Sequence, residues 1–225
     1  MNDDAQAPRS LDHPAGDPMH VGASAADALV LDFANSETGH TRPGRPARDA
    51  LGDAFATLAW LRDHGALEDA RFRALTGVAA ADPGAADVFE TRTRRLRAAI
   101  VGVLRAAVDE TAPAEADLAA LGAAADAARA AEVLAWDPQA GRAVRRPAVS
   151  DDLAAALWPV ARAAEGLVSA ERLVRVKRCA SSTCDWFFLD TSKNRSRRWC
   201  RMEVCGNREK GRRRMGRARA QIATQ

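Results

Sequence analysis

All four cysteines of this chain, Cys179, Cys184, Cys200 and Cys205, fall within its last fifty residues and are spaced C-x4-C-x15-C-x4-C. Two short loops, each curling a pair of sulfurs toward one point and joined by a segment of hairpin length, are what a tetrahedral thiolate site requires. Two disulfides are arithmetically open as well. However, Met1 to His20 lacks both the basic n-region and the apolar h-region of a secretory signal, so an oxidising compartment is not expected. Iron–sulfur spacings place three thiolates much closer together than these. The pattern points to one structural Zn²⁺ held by Cys179, Cys184, Cys200 and Cys205, an ion with no open position for chemistry.

Charge divides the molecule. From Arg172 onward there are sixteen Lys and Arg against four Asp and Glu, a net of +12, which leaves −9 for the first 171 residues of a chain whose total is only +3. Such asymmetry marks an appended basic module that meets a polyanion. The excess of Arg over Lys carries little meaning in so Ala-rich a composition, but the crowding of Arg around the cysteines does. No stretch approaches eighteen uninterrupted apolar residues, so no membrane span is expected.

The expected fold class is mainly α with a small β element (α+β): a disordered leader over 1–25, a helical regulatory domain over 26–170 and a small zinc finger over 172–220. Leu29, Leu31 and Phe33 alternate with Val30 and Asp32, which predicts a short strand or buried extended segment over 28–33. Gly and Pro make 36–47 a loop. Phe55, Leu58 and Leu61, with Trp60 beside them and Gly65 as a stop, predict a helix; a short one follows over 67–75. Asp82-Pro83 supplies an N-cap and first position for a long helix carrying Phe89, Leu96, Ile100, Val103, Leu104 and Val108. Pro113 opens an Ala-rich helix to about Ala131. Residues 133–149 read as a β-hairpin around Asp137-Pro-Gln-Ala-Gly141. Ser150-Asp-Asp152 caps a further helix, in which Pro159 implies a kink or a restart, ending near Ser169.

The run from Cys179 through Trp186-Phe-Phe-Leu-Asp-Thr-Ser192, the Arg-rich turn, Trp199-Cys200 and Cys205-Gly-Asn-Arg208 resembles the CGNR zinc finger, named for its last four residues. Upstream, Leu29-Val-Leu-Asp-Phe-Ala-Asn35 followed by Leu58-Ala-Trp-Leu61 and Gly65 resembles the ABATE domain that precedes this finger. The pair implies a bacterial protein of a class described as stress-induced transcription regulators, cytoplasmic and nucleoid-associated. Glu37 departs from the Asn-Thr type of step expected after the strand.

Within the finger, Leu173 to Lys177 should be extended and Trp186 to Leu189 a strand whose aromatics close over the metal. Cys200 and Cys205 should sit at the start of a terminal helix, whose dipole favours thiolates. Arg178, Arg198 and Arg201 could offset the charge of a Zn(Cys)₄ centre. Trp186, Phe187, Phe188 and Trp199 form the mini-core, and Asn207 caps the helix. Arg195, Arg197, Arg198, Arg208, Lys210, Arg212, Arg213, Arg214 and Arg217 are the candidate nucleic-acid contacts, mostly to phosphates, with Arg208 the candidate for a specific one. Asp32, Asn35 and Trp60 are candidate ligand contacts for a small-molecule effector in a cleft.

These readings favour a zinc-dependent regulator that binds double-stranded DNA, its N-terminal domain sensing or dimerising; homo-oligomerisation stays open. An RNA-binding or ribosome-associated factor and a zinc-thiolate redox sensor are the alternatives. No enzyme is expected, since no His pair or His-Glu spacing suggests a catalytic metal. Loss of Cys200 should unfold the finger and leave the N-terminal helices intact.

Overall fold

The segment 28–33, expected to be extended, is helical. In the computed structural model, which describes residues 22–38, 48–148 and 150–223, Ser24 caps α1 (Ala25–Ala34) by accepting the Asp27 amide at 3.1 Å. Thr38, Arg48 and residues 216–223 are described by their backbone alone. Buried Asp27, Val30, Leu31 and Ala34 follow the i, i+3, i+4, i+7 spacing of one helix face. The alternation that suggested a strand spans six residues, too few to separate the two periods, and Ala and Leu at six of the ten positions favour the helix. Most of the expected leader, and residues 39–47 of the expected loop, lie outside the described residues.

A two-residue strand, β1 (Glu37–Thr38), pairs antiparallel with β2 (Arg48–Asp49). Asp53 caps α2 (Ala54–Asp63) by accepting the Ala56 amide at 2.7 Å, and Gly65, with φ +71°, turns the chain out of it. Leu58 and Leu61 of α2 are buried, whereas Phe55 is 47 % exposed. The next helix, α3 (Asp69–Ala81), runs past the expected end at Leu75 as far as the Asp82-Pro83 signal. There Asp82 accepts the Ala85 amide and Pro83 opens α4 (Pro83–Val108), as its sequence requires. The Ala-rich α5 (Glu115–Ala130) leads into the hairpin β3 (Glu132–Asp137) and β4 (Arg142–Pro147). A 3-10 turn over Leu153–Leu157 then gives way, at Pro159, to α6 (Trp158–Val168). The finger follows: a 3-10 turn over Glu171–Arg175 where extended chain was expected, then β5 (Val176–Arg178), β6 (Phe187–Leu189) and the terminal α7 (Asn207–Ala223).

The fold is mainly α, with three two-stranded sheets among the described residues. Phe89, Leu96, Ile100 and Leu104 of α4 pack in one core with Val30, Leu31 and Phe33 of α1, Leu58 and Leu61 of α2, and Val160, Ala164 and Leu167 of α6. The same core also contains Val176, Phe187 and Leu189, which belong to the finger. Finger and helical body therefore share a core. An ion pair with a buried carboxylate adds to the joint: Asp27 of α1 accepts both Nε and Nη2 of the exposed Arg172 at 2.8–3.0 Å. No helix among the described residues is long and apolar enough to cross a membrane.

One buried cation organises the loop end of the body. Arg97 of α4, 7 % exposed, donates Nη2 to Asp49 at 2.7 Å and Nη1 to the Ser36 hydroxyl at 3.0 Å, and lies 3.7 Å from Glu37. It thereby fastens the β1–β2 ribbon to the core. Burial would raise the Asp49 pKa, but the hydrogen bonds from Arg97 and the Leu51 amide outweigh it and hold the carboxyl below its ordinary value. A depressed carboxylate contributes stability that is complete above its unfolded pKa of about 3.9 and is lost as pH falls through the lower folded value. Asp49→Asn should therefore melt below wild type at pH 6, and the gap between the two melting midpoints should close as pH falls below about 4. A gap that persists unchanged at pH 3 would show that the carboxylate charge is not what holds the ribbon.

Candidate metal centre and nucleic-acid interface

The sulfurs of Cys179, Cys184, Cys200 and Cys205 lie within 4.8 Å of one another, with Cys184–Cys200 at 3.7 Å and Cys200–Cys205 at 3.6 Å. A regular tetrahedron built on Zn–S bonds of 2.3 Å has edges of about 3.8 Å, whereas a disulfide requires about 2 Å. The donor set and its spacing fit Zn²⁺. Three of the four cysteines are buried and Cys184 is half-buried, so the sulfurs are shielded from bulk solvent. Crowding splits their proton affinities. Hydrogen bonds from the Cys184 and other thiols push the Cys179 pKa down, and the neighbouring Cys179 and Cys184 sulfurs push that of Cys200 up. A divalent cation relieves that competition by letting all four ionise.

Local structure delivers each pair. The Cys179 amide donates to the Trp186 carbonyl at 2.9 Å, continuing the β5–β6 ladder to the mouth of the first loop, and the Cys184 amide closes that loop onto Ser181 at 3.1 Å. The second pair is joined by a π turn over Met202–Gly206, in which the Gly206 amide reaches back five residues to the Arg201 carbonyl at 3.2 Å. At the α-helical 100° per residue, a position five further on points about 140° away; the wider π turn brings Cys205 back toward Cys200. Gly206 sits close under the Met202 and Trp199 side chains, so a larger residue there would have to displace the flexible Met202. A Cβ there would lie 2.3 Å from Met202 Sδ and 3.1 Å from Trp199 Cδ1. Asn207 donates its side-chain amide to the Glu203 carbonyl at 3.1 Å, tying this turn to α7.

β6 has two faces. Phe187 and Leu189 enter the helical core, while Phe188 between them is fully buried against Cys179, Cys200 and Cys205, with Trp186 and Trp199 partly buried around the same cluster. The expected mini-core of four aromatics thus loses Phe187 to the neighbouring domain. The other edge of β6 is closed by a side chain. Asn35 accepts the Phe187 amide at 2.8 Å and donates Nδ2 to the Phe187 carbonyl at 2.9 Å, so its carboxamide stands where a peptide of a third strand would. At the entrance to α1, Gly22 lies against the finger: a Cβ there would approach Thr191 to 3.2 Å.

The loop after β6 is built around Asp190, whose side chain is fully buried. Its carboxylate accepts Lys177 Nζ at 2.6 Å, the Ser192 amide at 3.0 Å and the Arg197 amide at 3.0 Å. Burial would raise its pKa, but these bonds hold it at about 2. Lys177 Nζ also bonds the Arg195 carbonyl, at a residue with φ +50°. Asp190 and Glu209 were not marked by the sequence reading, although the Leu-Asp-Thr-Ser step signalled the first. Glu209, in the first turn of α7, accepts the Ser181 hydroxyl at 3.0 Å and the Ser182 amide at 3.2 Å. It clamps the terminal helix onto the first cysteine loop.

The candidate cations separate into two groups. Arg197 faces inward: its Nε donates to the Trp199 carbonyl at 3.0 Å, its Nη2 to the Cys200 carbonyl, and its guanidinium lies 4.8 Å from the Phe188 ring centroid. Arg208 donates to Thr183 at 3.1 Å, and Arg212 to Glu209 at 3.0 Å and to Ser182. Arg195, Arg198, Lys210, Arg213 and Arg214 are exposed. Arg217 lies in α7, its side chain outside the described residues. Of the candidate ligand contacts, Asn35 is occupied by Phe187, and Trp60 packs edge-on to Phe33 and stacks on His64 at 3.7 Å between ring centroids. Asp32 is half-buried on α1. An open cavity of about 310 Å³ lies elsewhere, at the start of α4, lined by Asp82, Val88, Phe89, Arg92, Asp152 and Leu153.

A helical body sharing its core with a four-cysteine finger defines the class as a two-part zinc-finger protein. The CGNR zinc finger model matches residues 175–219, and the ABATE model, described as "Putative stress-induced transcription regulator", matches residues 27–171. The chain belongs to the ABATE family and carries a CGNR zinc finger. No curated protein matches it.

Removing the Asn35 carboxamide leaves a buried amide and a buried carbonyl of Phe187 without partners, which costs about 2–4 kcal/mol. Asn35→Ala should lower the thermal midpoint of the body, and Asn35→Asp, which keeps the acceptor but sets a carboxylate against a carbonyl, should not restore it. A midpoint within error of wild type for both variants would contradict the strand-like role.

Proposed function

We propose that the chain is a zinc-dependent regulator that binds double-stranded DNA through the finger and α7, one structural Zn²⁺ per chain being held by Cys179, Cys184, Cys200 and Cys205. One observation carries this reading. Along Asn207–Ala223 the only carboxylate is Glu209, which is spent on the first cysteine loop, while Lys210, Arg213 and Arg214 stand exposed immediately beyond the metal-bearing turn. An exposed helix with that charge fits a phosphate backbone. The family description as a transcription regulator points the same way. Arg197, Arg208 and Arg212 serve the scaffold, and Arg195, Arg198, Lys210, Arg213, Arg214 and Arg217 engage the nucleic acid.

The protein acts by binding, without catalysis, because four sulfurs fill the coordination shell of the ion. The helical body is the regulatory partner of the finger, and their shared core passes a change in either to the other. Cytoplasmic, nucleoid-associated localisation follows from DNA as the partner.

Elemental analysis of purified protein should give one zinc per chain. With about five or six phosphates engaged, log K for duplex DNA should fall with log salt at a slope of about −5. Replacing Lys210, Arg213 and Arg214 together with Ala should flatten the slope by about 2.7 and weaken binding to all sequences alike. This set spares Arg212, whose loss would also disturb the cysteine loop. An unchanged slope would remove α7 from the interface; tighter binding of structured RNA than of duplex DNA in direct competition would assign the surface to RNA.

A further inference from the structure

The hairpin β3–β4 has no job in the body's core. Its strands pair with each other alone among the described residues, from Glu132 opposite Pro147 to Asp137 opposite Arg142. An isolated two-stranded ribbon is marginal in water, and large apolar side chains gathered on an exposed surface mark an interaction site. Here Leu134 is 69 % and Trp136 66 % exposed on one face of the ribbon, and Val133 is 49 % exposed on the other. The register sets Leu134 opposite Arg145 and Trp136 opposite Ala143, so an indole, an isobutyl group and a guanidinium share one face.

The ribbon's charge is uncompensated in one direction. Both of its carboxylates are engaged: Asp137 accepts the Gln139 and Ala140 amides of the turn and Arg146 at 2.7 Å, and Glu132 lies 3.4 Å from Arg162 of α6. Arg142 and Arg145 are exposed and have no carboxylate partner among the described residues. Arg145 lies on the face of Trp136 and Arg142, in register with Asp137, on the opposite one. Free guanidiniums along a ribbon that exposes an indole match a nucleic acid, whose phosphates take the cations and whose bases or sugars take the ring. A two-stranded ribbon about 20 Å long also fits a duplex groove. A second copy paired through the β4 edge would gather Arg142, Arg145 and Arg146 of both copies on one short seam.

We propose that the β3–β4 ribbon is a second nucleic-acid contact of this chain, with Arg142 and Arg145 on phosphates and Trp136 against a base or sugar. This rests on the reading of the chain as a DNA-binding protein and extends its surface from the finger to the N-terminal body. The ribbon then couples the regulatory body directly to the bound duplex, independently of the zinc.

The test uses full-length, zinc-loaded protein and duplex DNA of random sequence. Arg142→Gln with Arg145→Gln should flatten the salt slope by about 1.8, at about 0.9 per phosphate lost. Trp136→Ala should weaken binding about tenfold at unchanged slope, and Trp136→Phe should restore most of it. Zinc content and thermal midpoint, measured on each variant, should match wild type because the replaced side chains are exposed. Wild-type binding with unchanged slope and affinity in these variants would overturn the ribbon contact and leave the finger's role standing. Wild-type protein that binds no nucleic acid would overturn both. A wild-type dimer in sedimentation that Trp136→Ala dissociates would make the ribbon a contact between copies of the chain and overturn its assignment to nucleic acid.

Discussion

Three residues, Phe187-Phe188-Leu189, are buried on both faces of β6, and most of the architecture follows from that. The period-2 alternation of a strand sends Phe187 and Leu189 into the helical core and Phe188 onto the cysteine cluster. A zinc module of about fifty residues cannot bury enough apolar surface to stand alone and relies on its metal. Here it also leans on a neighbour. Metal binding and the packing of α1 and α4 should therefore be linked, with loss of the ion expected to withdraw Phe187, Leu189 and Val176 from the body as well. The sequence suggested instead a finger that could unfold by itself.

The polar joints explain why this arrangement is specific. A two-stranded sheet offers free edges, and an amide side chain is the smallest group that can present donor and acceptor at peptide spacing to one of them. Asn35 does this for β6, and the Asp27–Arg172 pair fixes the azimuth of the finger about two helical turns earlier on α1. Within the finger, Asp190 and Glu209 satisfy backbone amides and hydroxyls that the short loops leave over. The cations left exposed are consequently a subset of those the sequence displays, and that subset defines the surface.

Much of this was legible beforehand, and the reasons for the rest are physical. The cysteine spacing located the metal cluster because thiolate chemistry tolerates few alternatives. Asp82-Pro83, the Asp137-Pro-Gln-Ala-Gly141 turn and a break at Pro159 were readable because caps, turns and proline act locally, although kink and restart were told apart only by the structure. Residues 28–33 were misjudged because a six-residue apolar run carries both periods, and only the tertiary face formed by Asp27, Val30, Leu31 and Ala34 separates them. Asn35 looked like a ligand contact because a buried polar residue at an element's end has that appearance in sequence; its partner lies 152 residues away. The inward turn of Arg197 onto the Trp199 and Cys200 carbonyls is also hidden, although its partners are near in sequence, because composition cannot tell it from Arg198.

The linkage between metal and body is open to a direct measurement. Hydrogen exchange of the full chain, with zinc bound and after chelation, reports on α1 and α4 amides separately from those of the finger. Removal of the metal should deprotect the finger and also lower the protection of α1, above all near Phe33 and Ala34, where Asn35 and Phe187 join the two parts. Unchanged protection of α1 alongside a fully exchanged finger would contradict the shared core and make the finger an independent module.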